Sequence, residues 1–68
     1  MEELLTVKEC SVILKTSPDY VYRLIDNGLL KCLRIGRIKV RRSALDELIR
    51  SYEGYDITDP NEIKKMEE

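Results

Sequence analysis

Ser17-Pro18-Asp19-Tyr20-Val21-Tyr22-Arg23-Leu24-Ile25-Asp26-Asn27-Gly28 carries both the start and the stop of a helix. Serine is a preferred N-cap, and proline is tolerated at the first helical position because its missing N–H would be unpaired there anyway. Glycine supplies the left-handed residue that commonly ends a helix. Val21, Leu24 and Ile25 recur at the spacing of one helical face. That face is expected to be buried, with Asp19, Tyr20 and Arg23 turned outward and Tyr22 at the flank.

Upstream, Thr6 and Glu9 have the spacing of a capping box, and Leu5 before the cap can staple onto Cys10. A first helix therefore starts near Val7. Val7, Cys10, Ser11 and Leu14 share one face, with Ile13 beside them, and Ser11 is small enough to let a neighbouring helix come close. Only Lys15 and Thr16 separate the two helices, the connection of a helix-turn-helix.

Downstream, Leu33, Ile35, Ile38 and Val40 alternate with polar residues around Gly36-Arg37. Glycine at the first central position suits a two-residue type II′ hairpin. Pairing Ile35 with Ile38 and Leu33 with Val40 puts the four apolar side chains on one face, and leaves Arg34 opposite Lys39 and Cys32 opposite Arg41. Ser43 can cap a third helix in which Leu45, Leu48, Ile49 and Tyr52 keep the helical spacing, ended by Gly54. The order is thus α-α-β-β-α over residues 1–55, mainly helical with a small β-hairpin. Residues 56–68 form an acidic tail, expected to be frayed or a short helix starting at Asp59-Pro60 with Ile63 and Met66 as its apolar pair.

The chain has 68 residues, enough for one small domain that buries about 60% of its unfolded surface. Histidine is absent and the four aromatics are all tyrosine, which removes the commonest general base and metal ligand. Cys10 and Cys32 stand apart with no further ligands around them, so each reads as a small buried hydrophobe rather than half of a zinc site. No enzyme, metal or cofactor is expected. The start of the chain does not resemble a signal peptide, and no apolar run approaches a membrane span of about 18 residues, so the expected location is cytoplasmic.

The formal net charge of −1 hides an asymmetry. Residues 15–42 carry Lys15, Arg23, Lys31, Arg34, Arg37, Lys39, Arg41 and Arg42 against Asp19 and Asp26, a net +6. Residues 53–68 carry Glu53, Asp56, Asp59, Glu62, Glu67 and Glu68 against Lys64 and Lys65, a net −4. A basic body with an acidic appendage hints at an anionic partner.

Double-stranded DNA fits the basic block. In a helix-turn-helix the second helix presents its first turns to the major groove, where arginine can bond guanine with two hydrogen bonds. Ser17, Asp19, Tyr20, Tyr22 and Arg23 are the candidates there. The alternative for Asp19 and Arg23 is an intrahelical ion pair worth about 0.2–0.5 kcal/mol. On the hairpin, Arg34 opposite Lys39 is a like-charge pair that costs up to about 1 kcal/mol unless phosphates lie close. Arg37 at the turn adds to it, and Arg41 extends the surface. The competing reading is a basic edge that discourages strand-to-strand aggregation.

Leu5-Thr6-Val7-Lys8-Glu9-Cys10, Ser17 to Ile25, Asn27-Gly28-Leu29-Leu30, Leu33-Arg34-Ile35-Gly36-Arg37 and Val40 to Leu48, in that order, resemble the excisionase family of MerR-like winged helix-turn-helix domains. The resemblance covers about residues 4 to 54. It implies a second helix in the major groove through Ser17, Asp19, Tyr20 and Arg23, and a wing on the adjacent minor groove or backbone through Arg34, Arg37 and Lys39. It also implies either an excisionase that bends DNA at short tandem sites or a small transcriptional regulator, with cooperative self-association on DNA and an integrase as partner. Many relatives carry tryptophan where this chain has Ile38. A third reading makes the chain a protein-interaction module acting through its acidic tail.

Overall fold

A computed structural model describes residues 3–66. Its elements are β1 (Leu4–Thr6), α1 (Val7–Ile13), α2 (Pro18–Asp26), β2 (Leu33–Ile35), β3 (Arg37–Arg41), α3 (Arg42–Ser51), β4 (Tyr55–Asp56) and β5 (Lys64–Lys65).

The capping box forms as its residues dictate. The Glu9 N–H donates to the Thr6 hydroxyl at 3.1 Å, and the Thr6 N–H donates to the Glu9 carboxylate at 2.8 Å. Ser17 caps α2, accepting from the Tyr20 N–H at 3.2 Å, with Pro18 at the first helical position. Between the two helices Lys15 takes a left-handed φ of 56°, the one non-glycine residue among those described that does so. Gly28, at φ 75°, follows α2, and the chain folds back so that the Leu29 and Leu30 N–H groups both donate to the Leu24 carbonyl.

The sheet differs from the expected two-stranded hairpin. A third strand, β1, pairs with β3 in the order β1-β3-β2, with Leu5 opposite Val40. The β2–β3 register is also one residue away from the expected one: Leu33 faces Lys39, Arg34 faces Ile38 and Ile35 faces Arg37. The turn is therefore centred on Gly36 alone, at φ 70°, and a slip of one residue moves every side chain of a strand to the other face. Val40 is fully buried against Leu5, whereas Leu33 and Ile35 are 40% and 60% exposed. The expected face of four apolar residues does not exist, nor do the pairs of Arg34 with Lys39 and Cys32 with Arg41.

One core joins these elements. Leu5, Val7, Cys10, Val21, Leu24, Leu30, Val40, Leu45 and Leu48 are buried together. Burial raises the Cys10 thiol above its ordinary pKa, in keeping with a packing role, whereas Cys32, expected to be buried as well, is exposed because it precedes β2, which lies outside the core. Ser11 is buried as well, and its hydroxyl is satisfied by the Lys8 carbonyl at 2.6 Å. Helix α3 begins at Arg42, one residue before the expected cap Ser43, which lies inside its first turn. Ile49 is 40% exposed instead of buried with Leu45 and Leu48. Among the described residues, no helix is long and apolar enough to cross a membrane.

Residues 55–66 are folded, and not as a helix; the last two residues of the expected 56–68 tail lie outside the described residues. Strands β4 and β5 pair antiparallel, Tyr55 with Lys65 and Asp56 with Lys64, and the Met66 N–H donates to the Gly54 carbonyl at 2.8 Å. Pro60 is buried and Ile57 packs against the core. The Tyr55 ring meets Tyr52 edge-on, with centroids 6.2 Å apart, which fixes the point where the segment leaves α3.

Candidate nucleic-acid interface

Helix α2 is held by its inner face, since Val21 and Leu24 are fully buried. This leaves Ser17, Asp19, Tyr22 and Arg23 exposed on its outer side. On one flank of the helix runs a cleft lined by Pro18 and Tyr22 of α2, Arg34, Gly36, Arg37 and Ile38 of the β2–β3 ribbon, and Thr6, Val7 and Lys8 at the start of α1. Three cations and a tyrosine thus converge where the helix meets the ribbon tip. Lys8 is a member that sequence reasoning passed over. Its placement depends on β1 pairing with β3, a long-range event with no local signal.

The register distributes the ribbon's charges over both faces. Paired residues share a face and alternate residues return to it, so Arg37, Lys39 and Arg41 stand on one side of β3, across from Thr6 and Leu4 of β1 and from Leu33 and Ile35 of β2. Arg34 stands on the other side, opposite Ile38. Arg34, Arg37 and Arg41 are exposed, and Lys39 is half-buried beside the Glu9 carboxylate, whose pKa is lowered chiefly by the Thr6 N–H and hydroxyl and slightly by Lys39. The ribbon therefore offers cations on both of its faces, and the like-charge cross-strand pair is not needed to explain them.

The other flank of α2 holds the remaining two candidates in a different environment. Tyr20 is half-buried rather than turned outward, and its hydroxyl donates to the Ile57 carbonyl. Burial raises the Tyr20 phenol's pKa, with Asp56 and Asp59 adding to the shift and Arg23 opposing it. The Arg23 guanidinium donates to Asp59 through Nη2 at 3.0 Å. The partner Arg23 takes is not Asp19 within the helix but a residue 36 positions away. Nothing in the local sequence signals that contact.

Two capped helices joined by a tight turn, with a basic ribbon alongside the second helix, make this a winged helix-turn-helix domain. The chain belongs to the helix-turn-helix domain family, whose pattern matches residues 4–52. It is similar to two Mycobacterium tuberculosis proteins, "Putative DNA-binding protein MT0521" of strain CDC 1551 / Oshkosh and "Putative DNA-binding protein Rv0500A" of strain ATCC 25618 / H37Rv. Each is 36% identical over 50 residues, which is 72% of this chain and 64% of the relative. The chain thus spans a little under two thirds of the length of these relatives. No solved structure matches it significantly.

Proposed function

We propose that this protein binds double-stranded DNA, laying α2 in the major groove with the β2–β3 ribbon on the neighbouring backbone or minor groove. The observation that carries the reading is the cleft where Tyr22 of α2 meets Lys8, Arg34 and Arg37, because it puts a groove-sized helix and several phosphate-binding cations on one side of the molecule. Membership of the helix-turn-helix family and the names of the two mycobacterial relatives support it.

In this reading Asp19, Tyr22 and Arg23 face base edges, and Ser17 at the start of α2 faces a phosphate. The wing residues Arg34, Arg37, Lys39 and Arg41, together with Lys8, supply the non-specific attraction. The role we favour within DNA binding is that of an excisionase-type factor that bends DNA at tandem sites. It is supported by the ordered series of motifs from Leu5 to Leu48 that resembles that family. A promoter-binding regulator would use the same surface.

The test is to incubate the protein with sheared genomic DNA from its source organism at low and moderate salt, and to sequence what is retained. Tandem sites beside an integrase attachment region support excision, and enrichment at promoters supports regulation. Retention of nothing above input at either salt removes the DNA-binding reading. On an enriched site, Arg23→Ala should lose about 1–3 kcal/mol of discrimination against mismatched sequences. Equal weakening on all sequences would make Arg23 a phosphate contact instead.

A further inference from the structure

We infer that the segment after Gly54 is an intramolecular competitor for DNA, in which Asp59 occupies the arginine that α2 would otherwise offer to the nucleic acid. The inference rests on the DNA-binding reading above and adds a brake to it. The wing flank of α2 is lined by cations, whereas the opposite flank is covered by residues 55–66, which carry Asp56, Asp59 and Glu62 against Lys64 and Lys65. There Asp59 pairs with Arg23 at 3.0 Å, and Ile57 takes the Tyr20 hydroxyl on its carbonyl. Two of the five candidate residues on α2 are thereby engaged before any DNA arrives.

The segment is organised around that carboxylate. Ile57, packed on the core, and Pro60, buried, stand on either side of Asp59 and fix its position along the helix. The Asn61 N–H donates to the same Asp59 oxygen at 3.0 Å, and the β4–β5 pairing closes the loop behind it. Asp56, the second carboxylate on this flank, is held by the Thr58 hydroxyl at 2.6 Å and the Thr58 N–H at 3.0 Å. A DNA backbone approaching this side of α2 meets the Asp59 carboxylate and that of Asp56, the latter with Lys64 paired opposite it. Asp59 takes one of the terminal nitrogens of Arg23, and its charge opposes any phosphate brought to the rest of the guanidinium.

The clasp is weak enough to open. Arg23 and Asp59 are each 49% exposed, and half-exposed ion pairs are readily exchanged for other anions. Breaking it should tighten DNA binding about threefold to fivefold, since apparent affinity scales with the fraction of molecules whose reading face is free.

The experiment measures anisotropy of a fluorescent mixed-sequence duplex at low salt with the full chain and four variants: Asp59→Asn, Glu62→Gln, Arg23→Ala, and Arg23→Ala with Asp59→Asn. Glu62→Gln removes the same charge from the same segment at a residue whose ion pair is with Lys64, not with α2. Circular dichroism establishes that each variant is folded, and amide exchange follows residues 55–66 with and without the duplex. The expected result has three parts. Asp59→Asn binds several-fold tighter than Glu62→Gln, the gain disappears in the Arg23→Ala background, and DNA accelerates exchange in residues 55–66. A gain no larger than that of Glu62→Gln overturns the proposal. So does weaker binding by Asp59→Asn, which would make Asp59 a residue that positions Arg23 for DNA. If the wild-type chain and every variant fail to bind, the DNA-binding reading falls and takes this one with it, an outcome distinct from binding without an Asp59 effect.

Discussion

Removing Arg37 at the ribbon tip tests the wing separately from the reading helix. Arg37 is exposed, lines the cleft beside α2 and has no ion-pair partner among the described residues. Truncating it to alanine should therefore change stability by no more than about 0.5 kcal/mol. Five cations stand on the ribbon and the start of α1: Lys8, Arg34, Arg37, Lys39 and Arg41. If each meets one phosphate, the logarithm of affinity should fall with the logarithm of salt concentration at a slope of about −4.5, and at about −3.6 once Arg37 is gone. Between about 50 and 200 mM salt the wild-type protein should then lose about 500-fold in affinity and Arg37→Ala about 150-fold. Anisotropy titrations of one duplex across that range resolve the difference as a pair of straight lines that converge at high salt. Parallel lines would refute the reasoning, because they would mean that the ribbon tip releases no counterion and lies off the DNA.

Three further outcomes concern the scaffold. Leu24→Ala empties a fully buried site at the centre of the core and should cost about 2–5 kcal/mol, comparable to the total stability of so small a domain, so urea denaturation should find it largely unfolded. Gly36→Ala meets no atom within 4 Å of the added carbon, so its cost is that of the left-handed backbone alone, about 1–2 kcal/mol; unchanged stability would mean that the turn is not left-handed in solution. Glu9 has its carboxyl pKa lowered by its bonds from Thr6, so its contribution is complete above the ordinary carboxyl pKa of about 4.3 and is lost as pH falls through the lower folded value. The stability gap between the wild type and Glu9→Gln should accordingly close in acid, and a gap that widens there would contradict the capping geometry.

Features written in neighbouring residues were legible in the sequence. Thr6 with Glu9, Ser17 with Pro18, and Gly28 after Asn27 each satisfy or release backbone groups within one turn, and each lies where its spacing placed it. The hairpin shows where such reasoning stops. Its alternation of apolar residues points to the register that pairs Leu33 with Val40, whereas β2 sits one residue away from it and Val40 finds its apolar partner, Leu5, outside the hairpin. A strand of three residues has no periodicity by which to announce itself. The last segment is a second case: Asp59-Pro60 has the composition of a helix start, yet burial of Pro60 and docking of Ile57 give more than an isolated turn of helix would. In the candidate site, the outward placement of Asp19, Tyr22 and Arg23 follows from the helical period. The half-burial of Tyr20 depends on a segment 37 residues further along and could not follow from it.

The position of β1 also sets an order of events during synthesis. Leu4–Thr6 leaves the ribosome well before its partner strand, and Leu5 cannot be covered until Val40 has been made. Over that interval α1 and α2 can pack locally while the strand that completes their core hangs free. Loop closure over such a separation costs entropy before it returns any contact, which places it late in folding. The nascent domain should thus be held open at its N-terminal edge, and substitutions at Leu5 should speed unfolding far more than they slow folding.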